Sequence, residues 1–190
     1  ATIPENVHLI VVTKTFPLSD ALILSELGVT EFGENRDQEG REKAPQIPGK
    51  WHFQGQLQSN KLKSICSWAD VIQTIDSERY VDLVSKATAK EIEVFIQVSL
   101  DGELHRGGAL PEDLSKIAMK ILATNNLKLQ GLMAVAQRIQ HVRKHGGVKR
   151  FKGGGEVGGS GRWLAHVIPV FAGMVVQGFA AAFSRFALHS

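Results

Sequence analysis

One cysteine, Cys66, in 190 residues is too few for a disulfide framework or a cysteine-based zinc site, and it fits a reducing, cytoplasmic compartment. No charged-then-apolar leader opens the chain, because Ala1 to Asn6 runs directly into a strand-like stretch. The absence of an initiator Met fits either trimming before a small residue or a chain that starts inside a longer one. Acids are scarce at one end. Residues 137–190 hold eight Lys and Arg but a single acid, Glu156, a net of +7, whereas residues 1–136 hold 14 basic and 18 acidic residues, a net of −4. The same last 54 residues carry 10 of the 19 glycines. Such asymmetry indicates a basic tail, a second module or a disrupted coding segment, with its boundary near Ala136. What is present, 43% hydrophobic and 22% charged residues, suffices for one domain with a full core and excludes disorder throughout.

Up to residue 136 the chain alternates between strand-like and helix-like stretches. The expected strands are Val7–Thr13, a short, mostly apolar, β-branched run suited to a sheet covered on both faces, then Thr30–Gly33, Lys50–Gln54, Val71–Ile75, Glu93–Leu100 and Leu127–Ala136. The expected helices run from Pro17 to a stop at Gly28, then over Asn35–Ala44, Ser59–Trp68, about Ser77–Ala89 and Pro111–Ala123. In the first helix Leu18, Ala21, Leu22 and Leu24 are the apolar positions. Six βα-type units with short connections indicate a parallel sheet, and their period suits a (β/α)8 TIM-barrel-like α/β fold, here compact or incomplete. Beyond 136 the pattern fails. Residues 146–161 contain eight glycines and no apolar period, which is linker composition.

The carboxyl ends of parallel strands are where functional side chains gather. Lys14 stands at the end of the first strand; held partly out of water, an amine there becomes a nucleophile toward aldehydes, while the plainer alternative is a solvated lysine. Phe32-Gly33-Glu34-Asn35-Arg36 ends strand two. Asn35 offers both a donor and an acceptor to a ligand, or else caps the following helix. Trp51-His52-Phe53-Gln54-Gly55-Gln56-Leu57-Gln58-Ser59-Asn60-Lys61 ends strand three, as a binding loop or as a Ser59 cap with solvated neighbours.

The motifs VTKTFP, FGENRDQE, WHFQGQLQSNK, IDS (Ile75–Ser77), IQVSLDGE and GLMAVA occur together in the order and spacing of one family. Over about residues 7–136 the chain resembles the pyridoxal-phosphate homeostasis proteins, single-domain relatives of the alanine racemase barrel. Gln54 departs from the family's usual aliphatic residue. The resemblance implies a barrel of the alanine racemase N-terminal-domain type holding pyridoxal 5′-phosphate (PLP) as a Schiff base on Lys14. It places Asn35 beside the cofactor, with Gly55 and Met133 lining the pocket. It also implies a cytoplasmic protein of vitamin B6 and amino-acid homeostasis, without turnover. Family members carry a Ser-x-Gly-Met-Ser loop after strand seven and an Arg-x-Gly segment at strand eight. Phe171-Ala172-Gly173-Met174-Val175 is similar to the first without its serines, which makes Gly173 and Met174 the remaining candidates there, and the second is missing. The implied organisation is a barrel portion over 1–136, a Gly-rich basic segment over 137–162, and a degenerate strand seven and helix over 163–190. Residues 137–170 read as a shifted-frame or rearranged segment.

Other patterns carry less. Gly153-Gly154-Gly155-Glu156-Val157-Gly158 satisfies G-x-G-x-x-G by letter, but no strand precedes it. His141 and His145 lack a third ligand, so no metal is expected. Arg143, Lys144, Lys149, Arg150 and Lys152 with one interleaved aromatic read as a solvated tail, not a nucleic-acid site. The apolar run Trp163–Phe183 is interrupted by His166, Pro169 and Gln177, which argues against a membrane span. The expected partner is therefore the small-molecule cofactor, bound by a monomer or weak homo-oligomer. A fold-type III racemase or decarboxylase working through Lys14, and a remnant barrel acting as an interaction module, are the competing readings.

Overall fold

The computed structural model describes residues 7–100, 107–135 and 174–178. Six strands come in sequence order with a helix between each pair: β1 (Val7–Val12), α1 (Leu18–Glu26), β2 (Glu31–Glu34), α2 (Asp37–Lys43), β3 (Lys50–Phe53), α3 (Leu62–Trp68), β4 (Val71–Ile75), α4 (Glu78–Ala87), β5 (Ile92–Val98), α5 (Leu114–Leu122) and β6 (Leu127–Ala134). Each of these strands pairs in parallel with the next, so the sheet is laid down in chain order, as in the wall of a βα-barrel. A last strand, β7 (Met174–Gly178), joins the other edge beside β1 and runs antiparallel to it, Val7 opposite Gly178 and Val11 opposite Met174.

That last pairing differs from the strand seven of a (β/α)8 barrel, which lies parallel beside strand six. The physical reason is the free edge of β1, whose unpaired N–H and C=O groups accept an extended segment in either direction. Met174 accordingly opens a strand opposite Val11, where the family pattern puts it in a loop. Gly173 and the Gly-rich stretch 137–162 lie outside the described residues.

Strand alternation sets the core. Phe32, Trp51, Phe53, Ile72, Ile75, Ile92, Val94, Ile96 and Leu127 all join one buried cluster with Ile65, Trp68, Val81, Val84, Ile117 and Ile121 of the helices. Trp51 is its centre: its ring stacks on Phe32 with centroids 5.0 Å apart, and Trp68 meets it edge-on at 6.5 Å. Its indole N–H donates to the Ile47 carbonyl at 3.1 Å, so the large ring is buried without an unpaired donor. Gly40 of α2 lies against the Trp68 ring so closely that a β-carbon there would overlap it. This contact lets α2 lie flat on α3, and Trp68 Nε1 and Ser64 Oγ both donate to Asp37 Oδ1, at 3.0 and 2.9 Å.

In α1, Ala21 is buried and Leu18 and Leu24 pack on the core, while Leu22 is exposed together with Ile23, because the helix buries only a narrow stripe. Ser59 caps no helix. A 3-10 turn over Ser59–Lys61 leads into α3, with Gln58 before it and no side-chain cap.

Candidate functional site

Because successive strand residues point to opposite faces, the residues between the core positions line the face away from the helices. On β1 these are Ile10 and Val12, which form a small cluster separate from the main core. Lys14, two residues further, continues the same parity into the turn after the strand. The register places Val12 beside Gly33, Gly33 beside His52, and His52 beside Val71. Two residues toward the carboxyl end, the same layer therefore holds Lys14, Asn35, Gln54 and Gln73. The ladder hydrogen bonds Thr13 N–H to Gly33 O at 3.0 Å and Gln54 N–H to Glu34 O at 2.8 Å carry the pairing up to that layer.

Lys14 is half-buried, and its amine has no hydrogen-bond or ion-pair partner among the described residues. Asn35 is exposed and likewise uncommitted; the cap position of α2 is Arg36, so the capping alternative for Asn35 does not hold. Gly55 is buried, and the Asn35 carbonyl occupies the space a β-carbon would need. Only glycine allows the loops after β2 and β3 to approach this closely. The Gly55 carbonyl accepts from Thr74 Oγ1 at 2.7 Å, and the Leu57 carbonyl from Tyr80 Oη at 2.7 Å, which ties down the loop after β3. Met133 is buried near the end of β6, paired with Gln97 of β5. Lys14, Asn35 and Gly55 thus share one neighbourhood at the ends of β1 to β3, and Met133 stands at the same end of the far strand.

A polar chain lies on this face of the sheet. Gln54 Nε2 donates to Gln73 Oε1 at 2.9 Å; Gln73 Nε2 lies 3.0 Å from His52 Nδ1; His52 Nε2 lies 3.1 Å from Glu31 Oε2. With Gln73 donating to Nδ1, His52 carries its proton on Nε2 and gives it to Glu31. The His52 hydrogen bond holds the Glu31 carboxyl below its ordinary value, against the opposing pull of burial. Gln54 also rests on the bare Cα of Gly33, where a β-carbon would come to 3.0 Å from its amide oxygen. The departure from the family's aliphatic residue is therefore accommodated by a partner, Gln73, on the next strand.

A second polar cluster lies on the helix side, below the turn that carries Lys14. Glu34 is fully buried, and its Oε1 accepts from Thr13 Oγ1 and from Lys43 Nζ, each at 2.7 Å. Its Oε2 is buried with no hydrogen-bond partner among the described residues. Burial raises the Glu34 carboxyl above its ordinary value, and the Lys43 and Thr13 hydrogen bonds offset part of that rise. Glu34, Lys43 and Gln73 were not picked out from the sequence. The available signal was a polar residue inside an otherwise apolar run, Gln73 in VIQTI, and a lysine closing a charged helix.

A primary amine and a side-chain amide, neither with a partner among the described residues, thus stand at the ends of the neighbouring strands β1 and β2. The comparison with known proteins decides the family. A model described as alanine racemase, N-terminal domain, matches residues 1–149. The chain belongs to the alanine racemase N-terminal domain family. Within it, the chain is 40% identical over 144 residues to the pyridoxal phosphate homeostasis protein of Corynebacterium glutamicum, covering 70% of this chain and 65% of that one. It is 37% identical over 141 residues to the protein of the same name from Pasteurella multocida, covering 70% and 60%. The structure of PipY from Synechococcus elongatus with PLP bound superposes at a TM-score of 0.65 and 27% identity, over 71% of this chain and 66% of that one. Alanine racemase of Clostridium difficile shares the fold at a TM-score of 0.61 and 14% identity. The chain thus spans somewhat less than two thirds of the length of these homeostasis proteins.

Proposed function

We propose that this chain binds pyridoxal 5′-phosphate covalently through Lys14 and serves vitamin B6 and amino-acid homeostasis by holding the cofactor, with no turnover of its own. The observation that carries this reading is the half-buried Lys14 amine, free of any partner among the described residues, in one layer with Asn35, Gln54 and Gln73. When bound, the cofactor supplies an aldehyde carbon that joins the lysine nitrogen with loss of water, and a ring that withdraws electrons. The protein's own contribution is orientation. Lys14 presents its amine at the mouth, Asn35 offers an amide to ring substituents, and Gly55 lets the Asn35 backbone close on the pocket. The resemblance assigns Met133, Gly173 and Met174 to the same pocket, and Gly173 and Met174 to its phosphate side. Relatives named for PLP homeostasis, and one neighbour solved with PLP, support the cofactor and the holding role. A single cysteine, too few for a disulfide framework, fits a reducing, cytoplasmic setting.

The test is to mix the full chain with PLP, record the visible spectrum, reduce with borohydride and map the modified lysine by mass spectrometry. A stoichiometric adduct on Lys14 that disappears in Lys14→Ala is expected. Scattered, substoichiometric labelling would sink the reading. Time-dependent racemisation or decarboxylation of added amino acids would replace the holding role with an enzymatic one.

A further inference from the structure

We propose that Glu39 and Lys43 of α2 are positioning residues for Lys14: they grip the backbone on both sides of it and fix the turn that aims its amine. Thr13, Lys14, Thr15 and Phe16 form this turn, closed by the Phe16 N–H on the Thr13 carbonyl at 3.1 Å. On the near side of Lys14, Lys43 Nζ donates to the same Thr13 carbonyl at 2.8 Å, while Thr13 Oγ1 is tied to Glu34. On the far side, the Thr15 N–H donates to Glu39 Oε2 at 2.7 Å. Glu39 and Lys43 are one helical turn apart and 3.5 Å from each other, so the two grips form one unit on a single helix face.

Thr15 shows what the grip achieves. Its φ is +67°, the left-handed region, and no other described residue apart from glycines has a positive φ. A β-branched residue at the third position of a turn, where glycine or asparagine is the norm, is held there by its surroundings. The surroundings here are a charge-assisted hydrogen bond from its N–H to a carboxylate. Released from Glu39, Thr15 returns to negative φ, the Lys14 peptide rotates, and the amine leaves the layer of Asn35 and Gln54. Lys43 is itself fixed by the fully buried Glu34, so the ion pair and the reactive turn are one construction. The inference rests on Lys14 being the reactive amine, as proposed above.

The test uses the full chain and PLP as probe. Glu39→Ala should slow adduct formation at Lys14 by roughly 10-fold to 100-fold at saturating PLP, as a misplaced reacting group does. Glu39→Gln, which keeps an acceptor oxygen for the Thr15 N–H, should recover most of that rate. Thr15→Gly in the Glu39→Ala background should also recover it, since glycine takes the left-handed conformation unaided. Neither rescue is expected if Glu39 serves only to stabilise the helix. Wild-type adduct formation with an unchanged rate in Glu39→Ala would overturn the inference, and so would a loss that neither variant recovers. Amide exchange at Thr15 gives a readout independent of PLP: protection in wild type that is lost in Glu39→Ala supports the grip, and an unprotected Thr15 amide in wild type overturns it. A wild-type chain with a protected Thr15 amide and no Lys14 adduct would remove the functional reading and leave the grip standing.

Discussion

The two faces of the sheet solve different problems. The helix side is a close-packed apolar layer built on Trp51, Ile72, Ile92 and Ile96, interrupted near the turn after β1 by the Glu34–Lys43 pair. The opposite face is polar along much of its length, with Gln54, Gln73, His52 and Glu31 linked in series and Lys50 paired to Glu93 at 2.7 Å. Apolar side chains can pack in any combination that fills space, so the helix side tolerates changes that conserve volume. Polar groups away from water need specific partners, so this face is fixed group by group, whereas Lys14 and Asn35 have no side-chain partner among the described residues.

Breaking the exception on the helix side should have the largest effect. Lys43→Met strands the Glu34 carboxyl without its cation and should destabilise the fold by about 3–5 kcal/mol in urea unfolding. Adding Glu34→Gln should return much of that loss. Gly40→Ala pushes a methyl into the Trp68 ring and should cost about 1–3 kcal/mol by the same measurement, the signature of overpacking. On the face away from the helices Gln73→Leu leaves His52 Nδ1 and Gln54 Nε2 without their partner, which should cost about 1–2 kcal/mol.

The two faces should also respond to pH with opposite sign. Glu31 is held below its ordinary 4.5, so the stability it contributes is full above that value and is lost as pH falls through its lower folded value. Glu34 is raised, so its contribution is full below 4.5 and is lost as pH rises through its folded value. Unfolding midpoints measured across the acid range should therefore fall less steeply toward low pH in Glu31→Gln than in wild type. In Glu34→Gln the loss on the rising side should be absent. The smallest effect belongs to Thr15→Gly, which relieves a left-handed threonine but loosens the unfolded chain, for a net change within about 1 kcal/mol.

Much of the fold was legible in the residues. All six parallel strands and all five helices lie within a few residues of where apolar runs, Pro17, Gly28 and polar interruptions placed them, because alternation and helix signals are local. The exposure of Leu22 is not legible locally, because an apolar residue at helical spacing does not state how wide a stripe its neighbours cover. That Ser59 starts a 3-10 turn and caps no helix is not legible locally, because the turn depends on where the loop is pinned by Thr74 and Tyr80, residues of a later strand and helix. The antiparallel seat of β7 on β1 follows from an edge left open, which no local pattern records.

For the site, the sequence by itself determined that Lys14 ends a strand and that Asn35 and Gly55 end the next two. Those are consequences of period two and of chain order in a parallel sheet. Only the tertiary structure decided which groups are committed. Thr13 is 21 residues from Glu34 and 30 from Lys43, and Thr15 is 24 from Glu39, so their meeting depends on strand register and on how α2 crosses back over the sheet. A buried charge takes its partner from whatever the fold brings within reach, as the Glu34 carboxylate takes Lys43 and Thr13.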